Sequence, residues 1–191
     1  MFRFPAQPRE VSLGLAEVLT KMCGQGEHFE YTLSGTREQV SKSSPKTLLV
    51  NLQTDSVVVI NNNPLSIGLD GEKMLLRQFK VLRNDFSFAF EGLEFMLGEN
   101  LVIRVGKMKK LQSAAEMCDF CDIRWAASGS SWDSPQMALE VLQKFAPPAL
   151  VAQRKQVAAN FAKVPAHVSF GSQHQALQFV KLYEDVMADR N

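Results

Sequence analysis

Hydrophobic positions change period twice along this chain. Val11, Leu15, Val18 and Met22 recur at helical spacing with Leu19 at their margin, and Gly24 and Gly26 follow where a helix stops. The spacing predicts an amphipathic helix. Phe29, Tyr31 and Leu33 then alternate with polar neighbours, which predicts a strand ending at Ser34-Gly35, and Thr36 to Pro45 is polar and loop-like. Leu48, Val50 and Leu52 alternate in the same way, and Thr54-Asp55-Ser56 turns the chain into Val57-Val58-Val59-Ile60. That run is apolar on both faces, the pattern of an interior strand. Asn61-Asn62-Asn63-Pro64 ends it, because Asn tolerates turn geometry and Pro cannot donate to a ladder. Leu65 to Leu69 reads as a further short strand. Met74, Leu75, Phe79 and Leu82 return to helical spacing after Asp70-Gly71.

The clearest β region is Phe86 to Trp125. Phe86, Phe88 and Phe90 face one way, Gly92 bends the chain into Leu93 to Leu97, and Gly98-Glu99-Asn100 turns it again. Leu101, Ile103 and Val105 alternate next; after a polar connection so do Cys121, Ile123 and Trp125. Strands this close together leave no room for crossover helices, so the sheet is expected to be antiparallel. The last third is helical. Ser134-Pro135 starts a helix whose stripe is Ala138, Val141, Leu142 and Phe145, and Pro147-Pro148 stops it. A helix from Leu150 to Val164 has its stripe interrupted by Arg154, which leaves 147–168 as a helical or irregular insert. Ser172 opens a final helix with the stripe Ala176, Phe179, Val180, Tyr183, Val186 and Met187. The fold class expected is α+β: a single domain over 1–191, an antiparallel β-barrel with flanking helices that include a C-terminal one.

Charge removes one class of function. Twenty-one basic and 20 acidic residues give a net charge of +1, without the cationic surplus that phosphate binding requires. The densest basic group, Arg104, Lys107, Lys109 and Lys110, reads as a solvated loop. Thirteen Phe against 2 Trp and 2 Tyr favour dry packing over wet interfaces, since Phe has no polar handle. Cys23, Cys118 and Cys121 are too few and odd in number for a secreted disulfide framework. The opening Met1 to Pro5 lacks a signal-peptide core, and no apolar run approaches the ~18 residues of a membrane span. An intracellular, reducing compartment is expected.

Candidate chemistry is sparse. Cys118 and Cys121 have the spacing of half a zinc site, but no second pair follows, and on a strand they would point to opposite faces. His28, His167 and His174 lie far apart and read as surface or capping residues. There is no nucleophile elbow, Gly68 to Lys73 lacks P-loop spacing, and Asp119, Asp122 and Asp133 read as solvated strand-edge carboxylates. No catalytic, cofactor or metal residues are therefore expected. Two surface readings remain. Leu182 falls on the polar side of the final helix and marks an expected partner contact. The Phe86, Phe88, Phe90 row reads first as core and second as a contact for a partner.

Three stretches resemble the Mediator subunit 20 family of TATA-binding-protein-related factor-like proteins. They are the strands FAFEGLEF (Phe88 to Phe95) and LVIRVG (Leu101 to Gly106), the helix MALEVLQKF (Met137 to Phe145) after a loop holding Trp132, and the helix LQFVKLYEDVM (Leu177 to Met187). The resemblance implies a closed barrel of roughly eight antiparallel strands. It also implies pairing with the related barrel of subunit 18 and a tether through the C-terminal part of subunit 8. The role implied is a nuclear, non-catalytic scaffold in the head module that relays signals to RNA polymerase II initiation, without direct nucleic-acid or membrane contact. A different class stands beside it: a small-molecule-binding or hydrolytic small barrel. Phe-rich strands favour a filled interior over a ligand cavity.

Overall fold

A computed structural model of the chain describes residues 1–5, 11–36, 47–53, 55–68, 70–71, 84–125, 135–164 and 171–190. Its elements run β1 (Phe2–Pro5), α1 (Val11–Cys23), β2 (Glu27–Thr36), β3 (Thr47–Asn51), β4 (Ser56–Ile60) and β5 (Asn63–Ser66). They continue with β6 (Asn84–Leu97), β7 (Leu101–Lys110), β8 (Ala115–Trp125), α2 (Pro135–Phe145), α3 (Pro148–Gln153), β9 (Lys155–Gln156) and α4 (Ser172–Ala188). The class is α+β, with a mostly antiparallel sheet and a C-terminal helix. Strand order is β5-β4-β3-β2-β6-β7-β8-β1-β9, nine strands among the described residues. The expected closed barrel of about eight strands is not what forms: the two end strands are not neighbours in the ladder, and the sheet is open. Both ends are poor templates for closure. β9 has two residues, and β5 carries Pro64, which has no N–H to donate.

The chain divides into two compact units. The first comprises Met1–Phe29, Phe90–Lys109 and Ala115–Ala158; the second comprises Glu30–Ala89, Lys110–Ala114 and Ala159–Asn191.

In the first unit, alternation on β1, β7 and β8 sends Phe2, Phe4, Ile103, Val105, Cys121 and Ile123 to one side. There they meet Leu15 and Leu19 of α1, Phe95 of β6, and Leu142 and Phe145 of α2. β1 is joined to β8 in the register Phe2↔Cys121 and Phe4↔Asp119. Each buried Phe or Leu of this cluster contributes about 1.5–3 kcal/mol by leaving water. α1 buries Ser12, Leu15 and Leu19, so its buried stripe is rotated from the expected one, and Met22 is 52% exposed. α2 begins at Pro135 and buries Ala138, Leu142 and Phe145, as its pattern predicts. Gly92 does not bend the chain; β6 is continuous over fourteen residues. A Cβ on Gly92 would lie 2.1 Å from the Val105 carbonyl oxygen, and one on Gly106 would lie 2.4 Å from the Glu91 carbonyl oxygen. The two glycines let β6 and β7 approach where any side chain would part them.

The second unit holds the meander β3-β4-β5. Registers such as Leu49↔Val58 and Val58↔Leu65 bring it together, and α4 packs on all three strands. Val57, Val58 and Val59 are all buried, as an interior strand requires. Asn61 and Asn62 both have positive φ, 51° and 61°, and form the two-residue hairpin that returns the chain as β5. β5 is thereby Asn63–Ser66 instead of the expected Leu65 to Leu69.

Within 147–168, α3 stops at Gln153. Arg154 is extended (φ −63°, ψ 143°), and its guanidinium Nη1 donates to the Val151 carbonyl oxygen at 2.6 Å. The chain then adds β9 beside β1, in place of the helix expected as far as Val164. The segment 72–83, the Trp132 loop and residues 165–170 lie outside the described residues.

Candidate functional site

Strand alternation gives β6, β7 and β8 of the first unit two faces of different chemistry. Even-numbered positions place Glu94, Arg104, Asp122 and Arg124 together. The Arg104 Nε donates to Glu94 Oε2, and Arg104 Nη1 lies 3.9 Å from Asp122 Oδ2. Arg124 Nη2 donates to the same Glu94 oxygen at 3.3 Å. Phe29 lies beneath the Arg104 guanidinium, its ring centroid 5.8 Å away, and Phe120 continues the aromatic layer 6.1 Å from Phe29 and 6.2 Å from Phe90. Arg104 and Asp122 are buried, Asp122 to 1% exposure. The expectation of a solvated basic loop is overturned: Arg104 is a strand residue inside the fold, and Lys107, Lys109 and Lys110 are on the same strand. Desolvating a guanidinium is tolerable only because two carboxylates and a ring face compensate it.

The odd-numbered Glu91, Leu93, Val105 and Lys107 of β6 and β7 lie on the side of α1. Lys107 Nζ donates to Glu116 Oε1 at 2.9 Å, and Lys109 Nζ pairs with Glu91 Oε1. The Glu91 carboxylate raises the Lys109 pKa, burial opposing it. Between α1 and these strands lies an open cleft of about 330 Å³. Its walls are Ser12, Leu13 and Ala16 from α1, His28 from β2, and Glu91, Leu93, Val105 and Lys107, with Gly92 and Gly106 as the floor. Leu13 is 60% exposed on one wall. Asp119 contacts the cleft residue Ser12, accepting its backbone N–H and its hydroxyl, so that a β8 carboxylate satisfies the first turn of α1. Burial pushes the Asp119 pKa up, with Lys107 and the two Ser12 hydrogen bonds acting against it. Asp119 and Asp122 are buried strand-interior groups, not the solvated edge carboxylates expected. Asp133 lies outside the described residues.

The second unit holds a buried to partly buried aromatic cluster instead. Phe86 stacks on Tyr183 with centroids 5.1 Å apart and planes 14° from parallel; Phe88 lies 5.1 Å from the same ring. Tyr31 meets Phe179 edge-on at 5.3 Å. Phe86 is partly buried and fits closely over Gly35, where a Cβ would come within 2.2 Å of its ring. Phe88 and Phe90 are buried, in accord with the core reading of the row. Leu182 corrects its expectation. It is 0% exposed, because it stands three residues after Phe179 and four before Val186 and so shares their buried face. A side chain so placed cannot meet a partner while the helix stays packed.

The remaining candidates separate. Cys118 and Cys121 are both buried and three positions apart on β8, which sends the sulfurs to opposite faces. Burial, with Asp122 adding to it, pushes the Cys121 thiol far up, away from the thiolate that metals and redox chemistry use. Among the described residues no three His, Cys, Asp or Glu side chains converge as metal ligands would, and no helix is long and apolar enough to cross a membrane. His174 is a capping residue: its Nδ1 accepts the Gly171 N–H at 3.3 Å at the start of α4. His28 is exposed at the cleft, and His167 lies outside the described residues. Sequence reasoning missed the cleft and the Ser12–Asp119 contact. The signal available was the odd-position parity of Glu91, Lys107 and Lys109. Set against known proteins, the chain matches no family model and no curated protein.

Proposed function

We propose that this chain is a non-catalytic subunit of the Mediator transcription coactivator, a head-module scaffold that works in the nucleus by docking neighbouring subunits. The observation that carries this reading is how the first unit spends its charges. Glu91, Glu94, Arg104, Lys107, Lys109, Glu116 and Arg124 are committed to ion pairs with one another across adjacent strands. Of these, Glu91 and Lys107 border the cleft, each already paired, and the apolar Leu13, Ala16, Leu93 and Val105 wall it. A neutralised rim around an apolar cleft suits a partner's side chain better than a charged substrate. The stretches that resemble the subunit 20 family lie on β6, β7, α2 and α4, so the resemblance rests on regular elements. The partners this reading names are subunit 18 and the C-terminal part of subunit 8.

Co-expression tests it. With those two partners the chain is expected to elute as one stable complex, and Leu13→Glu, at an exposed position, to lower its recovery at least tenfold without unfolding the free chain. A chain that elutes alone as a stable monomer, whatever partners are supplied, contradicts the proposal. Saturable binding of a small apolar compound in the cleft of that monomer would favour the ligand-binding alternative.

A further inference from the structure

We draw no further inference here: the strongest candidate, the open cleft between α1 and the Gly92–Gly106 floor of the first unit, belongs to the site already described, and nothing in the structure shows what else covers it.

Discussion

One strand shows how differently the two units are held. On β6 the even positions Phe86 and Phe88 feed the aromatic stack of the second unit, whereas Glu94, on the same face, feeds the buried ion cluster of the first. Aromatic stacking is forgiving: area and dispersion reward any close fit, and Phe86, Phe88 and Tyr183 meet both stacked, at 14°, and tilted, at 51° and 54°. The ion cluster is not. Arg104, Glu94, Asp122 and Arg124 lose hydration on folding, and their ion pairs offset that loss only if β6, β7 and β8 hold one register. The second unit takes its register from turns and valines, the first from charges. The difference should therefore show as two kinds of fragility.

The largest effects are expected from single truncations in each unit. Arg104→Ala removes the cation beside buried Asp122 and one of the two cationic partners of Glu94, and should cost on the order of 3–5 kcal/mol. Phe179→Ala leaves a cavity beside Tyr31 and should cost about 3–5 kcal/mol. Urea unfolding measures both. The comparison breaks on the rescue: Arg104→Met with Asp122→Leu should recover most of the first loss, since Glu94 keeps Arg124 as partner. If the double variant is as unstable as Arg104→Ala, the cluster is a stability element and not a register device.

Next come the glycines. Gly92→Ala forces β6 from β7 and should cost roughly 1–3 kcal/mol. Gly14→Ala, in an α1 position where nothing lies within 4 Å of the new methyl, should instead stabilise by about 1 kcal/mol through helix propensity. Equal signs in thermal melts would contradict the close approach of β6 and β7.

Smaller effects separate two carboxylates by pH. Burial raises the Asp119 pKa above its ordinary 3.8, so its contribution to stability is fully present below that value and is lost as pH rises through the native pKa. Asp55 runs the other way. Burial would raise it, but hydrogen bonds from Ser66, Ser172, Ser56 and Gly68 outweigh burial and lower it. Its contribution is present above 3.8 and is lost as pH falls through the native pKa. In unfolding titrations, Asp119→Asn should gain on the parent as pH rises to neutrality, and Asp55→Asn should lose on it; parallel curves would refute the assignment. The smallest effect is kinetic. Partly exposed Cys23 should react with a thiol reagent ahead of buried Cys118 and Cys121, although burial raises its pKa too. Faster modification of Cys121 would show that β8 opens readily.

Much of the fold was legible because period is local. The strand around Tyr31, the all-buried Val57 to Val59, the Pro135 helix start and the final helix all follow from spacing within a few residues. What escaped depends on partners distant in sequence. β1 is only Phe2 to Pro5, too short to show a period, and exists because β8 offers it a ladder. β7 and β8 run to Lys110 and from Ala115, through residues that look like a polar connection, because Lys107 and Glu116 pair across them. Leu182 looked exposed because its neighbours Lys181 and Asp185 are polar; they pair with each other at 2.7 Å and leave Leu182 on the packed side. The open sheet was illegible for the same reason, since closure depends on whether two end strands can reach a ladder together.

The proposed docking role is tested most directly by tagging the chain, purifying it from nuclear extract and identifying stoichiometric companions by mass spectrometry. Mediator head subunits, subunits 18 and 8 foremost, are the expected result. Recovery of the chain by itself, or with companions from outside the transcription machinery, contradicts the account.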